Sequence, residues 1–487
     1  MGGDTAPRCP DLAYTAGRIR RQGRRLLFNS LEFVFFYAVV FALYALLRAN
    51  WPLRKCLLLL ASYCFYMAWN PPYVVLLIFS TALDFVAGRR IAGSDSQSER
   101  RIWLAASCVG NLGVLAFFKY SDFLLSNFWI AAAPPFAYPD FVSGLLLPLG
   151  ISFYTFQSLS YTIDVYRDRR AVSGSALDFA LYVSFFPQLV AGPIIRSREF
   201  LPQLTENRRA SPDELLSGFD QIARGFAKKI LCADVLAAYV DLVYADPGSF
   251  GAVNHWLAIY AYAFQIYFDF SGYSDIAIGV ARTLGFRIPP NFRLPYLACG
   301  PSDFWNRWHI SLSTWLRDYL YISLGGSRTT RWRTYLNLAI TMLLGGLWHG
   351  AAWGFVCWGA FHGAWLVIHR ALFRERRGFR VPGWMSVLLT FHGVCVGWVL
   401  FRAQSLSDAL TVYAAFFDFE TPVTTVQPLV LAVLAVGFAS HLLGASTRLA
   451  EAWRAKSVDI QAAVWLATAT GVFLLASETT QFIYFQF

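Results

Sequence analysis

The chain has 487 residues, 56% of them hydrophobic and 15% charged, with a mean hydropathy of +0.44 and a formal net charge of +11. Soluble domains carry roughly 25% charged residues, so the composition excludes a soluble globular protein and indicates an all-α, polytopic membrane protein. The positive charge does not indicate nucleic acid. It sits in short loops between apolar runs, where it sets topology and attracts anionic lipid headgroups.

Residues 1–26 are polar, hold Pro7, Pro10 and six arginines, and are expected to be disordered. Apolar runs follow at 31–47, 56–69, 73–88, 102–118, 143–163, 178–191, 217–243 and 254–282. Further runs fall at 334–347, 351–369, 384–401, 427–444 and 461–479. Measured against a hydrocarbon core of ~30 Å, they predict about 11–13 spans, with some re-entrant or peripheral helices. No signal peptide with a cleavage site is evident, so the first run is expected to remain as a helix.

The stretch 286–330 is different. Pro289, Pro290 and Pro295 break helices, and Trp, Arg, His, Ser and Asp then occur at high density. This predicts a broken or re-entrant element lining a cavity. An interfacial aromatic belt would account for the Trp and Tyr residues but not for His309 or Asp318.

Topology can be counted from the basic loops. With 370–380 inside, two runs return the chain inside at Arg448, Arg454 and Lys456, and the last run places the tail 481–487 outside. The runs 334–347 and 351–369 then form a hairpin whose turn puts His349 toward the outer half of the membrane. The N-terminus does not fit this count: three runs separate its arginines from the basic loop at 89–101. Cys9, Cys56, Cys64, Cys108, Cys232, Cys299, Cys357 and Cys395 are scattered singly, so neither a disulfide framework nor a metal site is indicated.

Ionisable groups in such sequence need a protein partner or a water-filled cavity. His349 lies in Gly345-Gly346-Leu347-Trp348-His349-Gly350. Its glycines permit close approach, Trp348 can wall a pocket, and a neutral imidazole is a competent base. A buried histidine bonded to a neighbouring helix is the competing reading. The glycine-rich setting and the second polar cluster favour catalysis. His309 lies 40 residues earlier, beside Asn306, Arg307, Arg317 and Asp318, all cavity-lining candidates. It could orient a substrate, stabilise an oxyanion, or hold the fold. Asp269 and Asp275 interrupt an apolar run at a spacing of six, which does not keep them on one helix face. Polar helix–helix contact is the expected role, with Asp269 a further cavity candidate.

The stretch Phe304-Trp305-Asn306-Arg307-Trp308-His309-Ile310-Ser311-Leu312-Ser313-Thr314-Trp315-Leu316-Arg317-Asp318-Tyr319, followed by Leu324-Gly325-Gly326, resembles the signature of membrane-bound O-acyltransferases. Gly345 to Gly350 resembles that family's active-histidine motif. Leu27 to Phe33, Phe186 to Ile194, Gln265 to Asp275 and Phe482 to Phe487 match in the same order. The similarity is to the bacterial alginate O-acetyltransferase-like branch. It covers residues 27–487 as one domain and leaves 1–26 as an extension.

The resemblance implies a helical bundle around a central funnel or tunnel, with His349 and His309 as the catalytic pair. It implies a cytoplasmic thioester donor, acetyl-CoA, with no bound cofactor. The acetyl group would pass to an exported polysaccharide through an extracytoplasmic partner of the SGNH-hydrolase type. The expected location is the bacterial inner membrane. Tyr484, in the aromatic tail, is an acyl-relay candidate, with a membrane-interface anchor as the competing role. The alternatives are a D-alanyl transferase for teichoic acid, with a carrier-protein donor, and a non-enzymatic polymer or solute transporter.

Overall fold

The computed structural model describes residues 28, 30–132, 142, 145–190, 192–374, 381–424, 426–446, 452–453 and 456–475. The extension 1–26 and the tail 481–487, with Tyr484, lie outside the described residues. The described residues form a helical bundle without strands.

The first half contains α1 (Leu31–Leu46), α2 (Trp51–Met67), α3 (Val74–Gly93), α4 (Gln97–Ala132), α5 (Ile151–Arg167), α6 (Ala176–Ser184), α7 (Phe186–Leu189) and α8 (Ser197–Phe200). Side-chain caps set several starts. Ser30 accepts from the Phe33 N–H and Asn50 from the Leu53 N–H, satisfying donors that a first turn leaves unpaired. Among the described helices, Pro71–Gly93 (α3 with the 3₁₀ turn before it), α4 and Gly383–Arg402 are long and apolar enough to cross a membrane by length and composition. Leu31–Leu46 and Pro428–Gly444 are shorter apolar helices. The predicted run 178–191 is divided between α6 and α7, with Pro187 in the short second piece.

A buried polar cluster joins α3, α4 and α5. The Asp84 carboxyl accepts from Ser107 Oγ (2.5 Å), from Asn111 Nδ2 (3.0 Å to each oxygen) and from Ser158 Oγ. Lipid offers no substitute partner, so these bonds fix which helix faces meet. Asp84→Leu strands its donors and is expected to cost about 1–3 kcal/mol, read as a lower thermal unfolding temperature in detergent. Asp84→Asn keeps an acceptor and loses less. An unchanged midpoint in the leucine variant would refute the cluster's role.

The second half is built on α11 (Ala252–Thr283), whose 32 residues are almost all buried. Against it lie α9 (Pro212–Phe226), a π-helical turn over Ala227–Ala233 and α10 (Asp234–Ala245). Protein rather than lipid surrounds α11, so it can carry charge. Asp269 pairs with Lys229 at 2.6 Å, and Lys229 also meets Asp234 at 2.7 Å. Asp275 pairs with Lys228 at 2.6 Å. Both carboxylates thus make the polar helix–helix contacts expected from their spacing.

The region 286–330 is broken as its prolines require. Leu294 is left-handed (φ 47°), α12 (Pro301–Arg307) is short, and His309 is again left-handed (φ 43°). After it come α13 (Ile310–Trp315) and a π-helical turn over Leu316–Tyr321. Next are α14 (Arg331–His349), α15 (Trp353–His369), α16 (Gly383–Arg402), α17 (Leu406–Ala415), α18 (Pro428–Gly444) and α19 (Val458–Leu475).

Candidate active site

The hairpin of α14 and α15 carries the site. Its helices approach closely because Gly346 faces Gly359. A Cβ on Gly346 would collide with the Phe355 carbonyl, and one on Gly359 would lie 2.6 Å from the Met342 carbonyl oxygen. Gly350, in the turn, has the Phe355 ring where a side chain would stand. Of the glycines in the Gly-Gly-Leu-Trp-His-Gly segment, Gly346 thus serves close backbone approach, as the sequence suggests, while Gly350 makes room for the Phe355 ring.

A cavity of about 330 Å³ runs along this hairpin, closed on its other side by α12, α13 and the π-helical turn. His349 lines one part of it, with Trp358 and Trp305. Arg317, Ser327, His369 and Arg370 line another. Leu338 and His349, both lining residues, are eleven positions apart on α14, so the cavity extends about 16 Å at 1.5 Å per residue. His349 is 5% exposed and its ring meets Trp358 at 5.1 Å and Phe401 at 5.2 Å. The cavity is thus an apolar, aromatic slot around an imidazole, joined to a region containing two guanidinium groups.

Of the residues expected to line the cavity, Asn306 and Arg317 do. The others are placed off this cavity's wall. Trp348 is buried behind it, packed on both imidazoles (5.1 Å to His349, 5.8 Å to His309) and on Phe153 and Phe156. Arg307 turns to Asp303 at 2.8 Å, one helical turn back. Asp318 is held by Arg196 and Arg317, each at 2.6 Å. Asp269 is engaged by Lys229 as described. The three charged residues each have a partner, as the cost of unpaired intramembrane charge requires, and Trp348 is held by ring packing.

His309 is fully buried and is not a wall residue. Its Nδ1 lies 3.3 Å from Asn291 Oδ1, so in that bond Nδ1 carries the proton. The same Asn291 oxygen accepts from the Ser311 N–H (3.1 Å) and hydroxyl (2.9 Å), and the Asn291 carbonyl accepts from the Ile310 N–H (2.9 Å). Asn291 therefore clamps the break between α12 and α13 and holds the left-handed His309. A non-glycine residue there costs about 1–2 kcal/mol, and such strain clusters at functional sites.

Several residues at the site were not anticipated. Asn291 could have been suspected from its place after Pro289-Pro290. Trp358 and His369, eleven positions apart, share one face of α15, readable from helical spacing once the hairpin is assumed, and Arg370 follows at its end. Lys119 and Tyr120 hydrogen-bond the backbone at the end of α14, and no local sequence signal joins them to it.

The chain's relationships agree with this geometry. Residues 73–406 match the family model described as MBOAT, membrane-bound O-acyltransferase family. The chain is 45% identical over 401 residues to a protein named probable alginate O-acetylase AlgI from Azotobacter vinelandii, covering 81% of this chain and 78% of that one. It is 38% identical over 419 residues to the peptidoglycan O-acetyltransferase of Helicobacter pylori, covering 80% and 79%. The teichoic acid D-alanyltransferase of Bacillus subtilis is 29% identical over 272 residues, covering 53% and 69%. With these relationships, and with His349 on the wall of the cavity along the α14–α15 hairpin, the chain belongs to the membrane-bound O-acyltransferase family and is a membrane acyltransferase.

Proposed function

We propose that this protein is an O-acetyltransferase of the bacterial inner membrane, taking acetyl from cytoplasmic acetyl-CoA and delivering it to an exported polysaccharide. The observation that carries this reading is the single cavity that joins His349 to Arg317 and Arg370. CoA carries phosphates, which guanidinium groups bind well, and the thioester at the end of its arm needs a base and a dry slot. The positive-inside rule favours an inside position for the arginine-rich 370–380 loop, which in this reading turns the cationic end toward the compartment that holds the donor.

In the reaction, His349 accepts the proton of the attacking hydroxyl. The hydroxyl oxygen bonds the acetyl carbon, the carbon–sulfur bond breaks, and CoA thiolate leaves and takes up a proton. On the cavity wall, Asn306 offers an amide N–H for the transient oxyanion. His309, behind Trp348, is a positioning residue in this scheme. Only acetyl crosses the bilayer, and an extracytoplasmic partner of the SGNH-hydrolase type passes it to the polymer.

The acetylase relatives support acetyl over D-alanyl transfer, since their similarity spans four-fifths of the chain rather than half. The test is transfer of label from [14C]acetyl-CoA by the full chain in nanodiscs, with carrier-bound D-alanine as the alternative donor. Turnover with D-alanine alone would overturn the acetyl reading. Tyr484→Phe separates the tail relay from an aromatic anchor, because it keeps the ring and removes the hydroxyl. The relay requires that this variant, folded as wild type, lose polymer acetylation and acetyl-CoA cleavage together, because it lacks the hydroxyl that accepts the acetyl group. Undiminished acetylation refutes it.

A further inference from the structure

The end of α14 is closed from outside the helix. A helix leaves its last four carbonyls without intrahelical partners, and a following left-handed glycine commonly supplies backbone N–H groups to them. Gly350 is instead extended (φ −166°, ψ 154°), which carries the chain straight into α15. Side chains of α4 supply the donors. Tyr120 Oη donates to the Leu347 carbonyl at 2.7 Å. Lys119 Nζ donates to the carbonyls of Trp348 at 2.5 Å and His349 at 3.2 Å, and to Ser152 Oγ at 3.4 Å. All of these acceptors lack formal charge. The Lys119 amino group therefore sits at the negative end of the α14 dipole.

The same face of α4 also grips the far side of the turn. Phe123 packs on Trp353 at 5.7 Å, and Asn127 Oδ1 accepts from Trp353 Nε1 at 2.9 Å. Residues 119, 120, 123 and 127 follow helical spacing. One stripe of α4 thus holds the last residues of α14, His349 among them, and the first residue of α15.

We propose that Lys119, assisted by Tyr120, is the positioning residue for His349, setting where the imidazole stands in the cavity. This rests on His349 being the base. Lysine suits the task because one amino group carries enough N–H donors to reach two adjacent carbonyls at a helix C-terminus. Methionine keeps much of the length and apolar stem but donates nothing.

The test uses the full chain in nanodiscs. Thiol release from acetyl-CoA gives kcat and KM per folded molecule, with folded fraction and unfolding temperature measured alongside, for wild type, Lys119→Met, Lys119→Arg, Tyr120→Phe and His349→Ala. The expected result is a kcat loss of about 10²-fold in Lys119→Met, the scale of a 1 Å misplacement, with KM within two-fold. Lys119→Arg should recover most of it, and Tyr120→Phe should fall between. Diethyl pyrocarbonate labelling of His349, read by peptide mass spectrometry, should change in Lys119→Met and return in Lys119→Arg. Wild-type kcat per folded molecule in Lys119→Met, with His349→Ala inactive, overturns the proposal and leaves the base in place. An active His349→Ala overturns the base reading itself.

Discussion

His349→Ala is expected to reduce acetyl transfer by about 10²–10⁴-fold, the range that general-base catalysis contributes. The loss should fall on kcat, with the donor KM within a few-fold, because the imidazole works on the attacking hydroxyl and the donor is gripped at the other part of the cavity. The side chain removed is buried among Trp348, Trp358 and Phe401, so folded protein must be quantified in the same preparation. His349→Gln is the second variant, since it refills part of the volume and hydrogen-bonds without serving as a base. Inactivity in both, with normal unfolding temperatures, is the expected pattern. A glutamine variant above one-tenth of the wild-type rate would move the base elsewhere.

Neutralising the cationic end should act on KM. Arg317→Gln and Arg370→Gln each remove one guanidinium from the cavity wall. A hydrogen bond to a charged group contributes about 1.5–3 kcal/mol. The Arg317 side chain is 56% exposed, so solvent screening puts the expected effect at the low end, about 10-fold in the KM for acetyl-CoA. Raising ionic strength should weaken wild-type donor binding and should affect the double variant less, because the Debye length shortens from ~8 Å at 0.15 M to 3 Å at 1 M. Measuring KM for acetyl-CoA across a salt series checks both statements. A fall in kcat with unchanged KM would show that these arginines do not bind the donor.

Most helices were legible because apolar run length sets helix length in a bilayer. The run at 254–282 became Ala252–Thr283, 334–347 became Arg331–His349, and 384–401 became Gly383–Arg402. The miss at 102–118 is instructive. That helix runs from Gln97 to Ala132. Hydropathy stops at Lys119, whereas the backbone continues because Lys119, Tyr120 and Asn127 find partners on the α14–α15 turn. The positions of the other lining candidates were illegible for a related reason. A residue type announces that it needs a partner but not which partner meets it. Asp318 took Arg196, Asp269 took Lys229 and Arg307 took Asp303, and none was left to face the cavity.

The sequence by itself determined the solvent, the helical class, the broken stretch after Pro289 and the two histidine motifs. These follow from composition, helix-breaking residues and local spacing, which act along the chain. Only the tertiary structure decided that His349 lines the cavity while His309 stands behind Trp348, that Asn291 holds the left-handed turn, and that Lys119 closes a helix 230 positions away. Those outcomes depend on which buried donor meets which buried acceptor, and in a bundle of helices that pairing is set by packing between distant segments.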